Sequence, residues 1–121
     1  MERIIKFRGQ RIDNNEWVYG YYVCRHDRHA IVDQKPSHLD YNVQVKPESV
    51  GQYTGYKYMN GEEIYFGDLV KAPSGLVFEV VWHDITMSIS LKRDGYYFNF
   101  NIPLYEKVGT IHTNPELLNN N

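Results

Sequence analysis

The residues best suited to chemistry crowd one stretch, CRHDRH, which holds Cys24, His26, Asp27 and His29 and is followed by His38 and Asp40. Thiolate, imidazole and carboxylate are zinc ligands, but structural zinc sites draw on closely spaced Cys and His pairs, and here one cysteine stands alone. On a strand Cys24 and His26 share one face while Asp27 and His29 share the other. The expectation is a charge-mixed loop with no metal and no cofactor. Cys24 with His26 or His29 is also the only nucleophile and base pairing in the chain. No third orienting group and no helix N-terminus accompanies it, so Cys24 reads as a small buried cysteine beside tyrosines, and the chain as no enzyme. Glu62 and Glu63 are adjacent and face opposite sides of a strand, which removes them as an acid and base pair.

Neither GQYTG nor NGEEIYFGD has the strand-then-helix setting and the lysine of a phosphate loop. Asn60-Gly61 instead fits the two positive-φ positions of a type I′ hairpin turn. Arg3, Lys6, Arg8 and Arg11 line the first strand, and Tyr19, Tyr21 and Tyr22 on the next could stack bases, which makes nucleic-acid binding the alternative function. Against it stand the interleaved Glu2, Asp13 and Glu16, a net charge of -2 and a pI near 6.2, where such binders exceed about 9.

The elements that must position these residues are strands. Ile5 and Phe7 alternate with Lys6 and Arg8, Asp13 to Asn15 offer a turn, and Trp17, Tyr19, Tyr21 and Val23 repeat at every second residue, giving an N-terminal hairpin. Residues 25–47 are polar, with short strands only at Ala30–Val32 and Asn42–Lys46, and read as the loop-bearing, most mobile region. Strands follow at Asp68–Ala72, Leu76–Trp82, Met87–Leu91, Tyr96–Phe100 and Lys107–His112, with turns at residues 73–75 and 93–95. Such spacing predicts a mostly β fold with little helix, the hairpin packed with a C-terminal five-stranded SH3-like or compact antiparallel barrel. Asn114 and Pro115 suit the N-cap and first residue of one closing turn.

One cysteine, no signal-like N-terminus and no apolar run near the ~18 residues of a membrane span give the expectation of a cytoplasmic protein. A single domain covers residues 1–121, with an N-terminal β lobe at 1–46, a connecting segment at 47–66, a barrel-like lobe at 67–113 and a tail at 114–121.

That connecting segment carries a resemblance. VKPESVGQYTGYKYMNGEEIYFGDLV, Val45 to Val70, is similar to the P-E-T-V-G-Q-Y-T-G-x-K-D-x-N-G-K-E-I-Y-E-G-D-I-V signature of the YopX-like family of phage and prophage proteins. IKFRGQRIDNNEWVYG and VGTIHTNPELL resemble that family's opening and close. Ser49 replaces threonine, Tyr58 an aspartate and Phe66 a glutamate of the pattern, and Gly9-Gln10 replaces a small residue and tryptophan. The resemblance implies a phage or prophage setting in a bacterial host and no reaction. Gly51, Gln52, Tyr53, Thr54, Gly55, Asn60, Gly61, Tyr65, Gly67 and Asp68, which match the signature, are expected to define the fold first and a recognition surface second. The function expected is a non-enzymatic interaction module, self-associating or binding a phage or host protein, with no membrane partner.

Overall fold

The computed structural model of the chain describes residues 5–32, 43–100 and 105–119. It is mostly β, with two antiparallel five-stranded sheets ordered β3-β2-β1-β4-β5 and β10-β6-β7-β8-β9. The strands are β1 Phe7–Gln10, β2 Trp17–Arg25, β3 Arg28–Val32, β4 Gly51–Lys57, β5 Glu63–Tyr65, β6 Asp68–Lys71, β7 Val77–His83, β8 Ser88–Arg93, β9 Tyr96–Asn99 and β10 Glu106–Thr110. Helix among the described residues is limited to two 3-10 turns, Pro47–Ser49 and Pro115–Leu118. Asn114 and Pro115 occupy the N-cap and first position of the latter, as the sequence predicts. The Asn114 amide oxygen, however, accepts from the Thr113 hydroxyl at 2.7 Å instead of capping its own turn.

The chain divides into two compact units, Met1–Tyr53 and Thr54–Asn121. In the first, β1 pairs with β2 from Phe7 opposite Gly20 to Gln10 opposite Trp17, and β2 runs on to pair with β3. Residues 43–46 then tie the two ends together: Val45 N–H donates to His29 O at 2.9 Å and Lys46 N–H to Gln10 O at 2.9 Å. Val45 is inserted so closely over β1 that a Cβ on Gly9 would lie 3.0 Å from three of its side-chain atoms. Ala30, Ile31 and Val45 are the buried aliphatics among the described residues of this unit.

The polar stretch after β2 holds the expected strand at Ala30–Val32, but no long loop precedes it. Arg25 to Val32 is a continuation of the hairpin, turned by His26 and Asp27 alone, at φ 54° and 61°. Two successive left-handed residues make a type I′ turn, whose twist matches that of the flanking strands. The usual Asn-Gly signal is missing from the sequence, so the ladder overrides local preference. His38 and Asp40 lie outside the described residues.

In the second unit, Tyr58, Ile64, Val70, Phe78, Val80 and Leu91 form the core, with Phe66, Ala72, Ile89, Phe100 and Tyr105 packed against it. Each fully buried aliphatic contributes about 1.5–3 kcal/mol relative to exposure. The β8–β9 connection is a two-residue type I′ turn of Asp94 and Gly95, at φ 52° and 79°, which the RDG stretch predicts. Val108 is a bulge between Lys107 and Gly109 in the β10–β6 ladder.

Candidate functional site

The signature residues build backbone geometry. In the first unit Gly51 and Gln52 lie opposite Arg8 and Phe7, and the buried Tyr53 donates its N–H to Lys6 O at 2.7 Å. In the second, the Thr54 hydroxyl donates to Ile64 O at 2.8 Å and Gly55 adopts φ 93°. Asn60-Gly61 does not form the expected type I′ turn. Gly61 N–H donates to Tyr58 O and Tyr58 N–H to Glu62 O, and of Asn60 and Gly61 only Gly61 has positive φ, at 91°. That is a three-residue loop, a turn followed by a left-handed glycine, and it inserts one residue more than a two-residue hairpin. Asn60 uses its side chain instead, accepting the Glu62 N–H at 3.0 Å.

Asp68 anchors the segment. Fully buried, it accepts from the Tyr58 hydroxyl at 2.7 Å and the Tyr65 N–H at 3.1 Å through one oxygen, and its other oxygen lies 3.7 Å from Lys107 Nζ. A buried carboxylate is tolerated only with such partners. Its tyrosine and lysine partners come from separate segments of the chain, which no window of the sequence brings together. Gly67, at φ 96°, donates to Val80 O and accepts from Ile111 N–H, which fixes the entry into β6. Beside this anchor opens a cleft of about 550 Å³, lined among others by Tyr58, Asn60, Lys71, Tyr105, Glu106 and Lys107. Its cations and carboxylates are mixed, and Lys107 is already engaged by Asp68.

The Cys24 neighbourhood differs from its sequence reading in exposure, and it decides between the two histidines that reading offered. Cys24 is exposed, not buried. Its partner is not His26, which the turn carries off the strand, but His29, directly opposite, with Sγ 3.8 Å from Nε2. The Tyr22 hydroxyl hydrogen-bonds Nδ1 of the same ring, and its phenol is held above the usual range by burial first and by Cys24 second. An orienting group for the histidine is thus present where none was legible, because cross-strand neighbours are set by register. No cluster among the described residues assembles three ligands for a metal.

The basic strand is largely engaged. Arg8 is buried, with its guanidinium 4.8 Å above the Trp17 ring. Lys6 lies 5.9 Å over Tyr53, and Arg11 holds Asp13 at 2.7 Å, keeping that carboxyl below its ordinary range. Arg3 lies outside the described residues. Alternation predicts Arg8 on the solvent face; packing on Trp17 turns that face inward.

What sequence patterning missed is the exposed apolar surface of the second sheet. Ile85 is 87% exposed, Met87 69% and Tyr96 71%, and Trp82, Tyr97 and Phe98 are also classed as exposed. Among the described residues strand β9 pairs with β8 alone, and it is exposed along its whole length. Its rings are nonetheless held: Tyr97 stacks flat on His83 at 3.8 Å, Lys92 Nζ lies 5.7 Å from the same ring, and Phe98 meets Phe78 edge-on at 5.2 Å. The signal was the run YYFNF, aromatic on both strand faces.

A family model described as YopX protein matches residues 6–119. The chain belongs to the YopX family. No curated protein matches it. The YopX match takes in every described strand of both units, so the signature lies within a family pattern that reaches well beyond it.

Proposed function

We propose that the chain is a non-enzymatic interaction module, encoded by a phage or prophage and acting in the host cytoplasm. The observation that carries this function is the set of exposed apolar side chains on β7, the β7–β8 turn and β9, of which Tyr97 and Phe98 are already held by ring contacts. Large exposed apolar side chains that lose little freedom on contact are what a protein interface uses. Family membership supports the setting, and the signature residues, occupied with backbone geometry, serve the fold.

Nucleic-acid binding is the weaker alternative, because Arg8 is buried and Arg11 is paired with Asp13. The test replaces Ile85 and Met87 with serine and compares both chains by cross-linking in host cells and by sedimentation. The expected result is stoichiometric association, with itself or with another protein, that the double variant loses while its circular dichroism is unchanged. A chain that is monomeric and cross-links to nothing stoichiometrically would refute the interaction function. Salt-sensitive oligonucleotide binding lost on replacing Lys6 and Arg11 with glutamate would install the alternative.

A further inference from the structure

We infer that β9 is a homodimerisation edge, pairing antiparallel with β9 of a second copy about a two-fold axis through Phe98. The inference rests on the interaction function proposed above and names its partner.

The ladder fixes which backbone groups are open. In a two-residue hairpin the closing pair, here Arg93 and Tyr96, exchanges both hydrogen bonds, and bonded and non-bonded pairs then alternate. Phe98, opposite Leu91, is therefore bonded inward. Tyr97 and Asn99, opposite Lys92 and Ser90, turn their N–H and C=O groups to the open edge.

Opposed residues of an antiparallel pair must share a face, so a two-fold pairing of β9 with itself is centred on a residue. Centring on Phe98 sets Tyr97 against Asn99 of the second copy, and Asn99 against its Tyr97. Both open positions are then satisfied, giving four backbone hydrogen bonds. Phe98 meets its own copy at a non-bonded position, where side chains approach most closely, and Tyr96 meets Phe100 on either side. Centring on Tyr97 instead uses the Gly95 turn and wastes Asn99.

Charge selects a second copy. A two-fold axis brings each group near its own image, so a charged edge repels itself. Residues 95–100 carry no charge and no proline. The other edges are defended by the means proteins commonly use: β10 has Glu106, Lys107 and the Val108 bulge, β5 has Glu63, and β3 is covered by residues 43–46, which bond to His29 and Ile31. The stacked Tyr97 and the Phe98 packed on Phe78 present β9 already extended.

Sedimentation velocity over a concentration series tests the pairing with two variants. Tyr97→Pro removes one outward N–H per copy while leaving the β8 ladder intact, which deletes two of the four bonds and is expected to raise the dimer Kd by about tenfold or more. Phe98→Cys in a Cys24→Ala background places the two thiols opposite each other. Mild oxidation is expected to give a disulfide-linked dimer, whereas Tyr96→Cys in that background is not linked. A wild-type chain that stays monomeric at high micromolar concentration overturns the inference, as does a dimer that is undiminished in Tyr97→Pro or unlinked in Phe98→Cys. If that chain is monomeric yet a different protein is cross-linked through Ile85 and Met87, the edge pairing fails while the interaction function stands; if nothing associates, both fail.

Discussion

The Tyr58 hydroxyl donates to the buried carboxylate of Asp68 at 2.7 Å, joining the tip of one hairpin to the first residue of β6. Tyr58 stands where the family signature has an aspartate, and Asp68 is a matched signature residue. Tyr58→Phe keeps the ring in the core and deletes one of the donors to Asp68. The expected loss is about 1–3 kcal/mol in urea unfolding. Asp68→Ala, which strands Lys107 and the Tyr65 N–H as well, is expected to cost more.

Gly9 and Val45 predict an overpacking effect. The Cβ of Gly9→Ala would lie 3.0 Å from three atoms of the buried Val45 side chain. The expected destabilisation is about 1–3 kcal/mol. Val45→Ala in the same chain removes the two Cγ contacts and leaves the Cβ one, which relieves the clash in part, so a double-mutant cycle is expected to fall short of additivity.

The His26-Asp27 turn predicts a gain. Both residues hold left-handed φ without being glycine, at a cost of about 1–2 kcal/mol for an ordinary residue, less for Asp. His26→Asn with Asp27→Gly supplies the residues this turn favours. A rise of about 1 kcal/mol in stability is expected, with the Cys24 and His29 pairing retained.

Glu79 gives the fold a pH dependence. Burial raises its pKa above the usual carboxyl value, with Lys92, directly opposite, working against the shift. The folded chain therefore holds this proton more tightly than the unfolded one. Its contribution to stability is greatest at acid pH and is lost as pH rises through the folded-state pKa. Glu79→Gln is expected to raise the thermal midpoint at neutral pH and to show no advantage once Glu79 is protonated in both states.

The strands were legible because antiparallel strands write a period of two into the chain, as at Trp17 to Val23; the strand expected from Met87 instead begins at Ser88, because Met87 takes φ 53° in the turn before β8. The Asp94-Gly95 turn was legible because its residues carry the conformation themselves. The His26-Asp27 turn was not, since there the strands impose it. Arg8 read as a surface cation because one-dimensional alternation cannot show that the Trp17 ring covers that face. The thiol's real neighbour, His29, is set by register alone. Edge exposure of β9 was equally invisible, because strand order is a property of the sheet and not of any window of residues.

The chain has two tryptophans, and the fold assigns one to each unit. Trp17 is screened by the Arg8 guanidinium, whereas Trp82 is 48% exposed. Intrinsic fluorescence therefore reports mainly on the first unit, since the indole that is already wet changes its surroundings least on unfolding. Circular dichroism averages over both sheets. Coincident melts by the two probes mean that the units unfold as one cooperative block, and separated melts mean that each keeps its own transition. Trp17→Phe and Trp82→Phe turn the same native dyes into a private reporter for either unit.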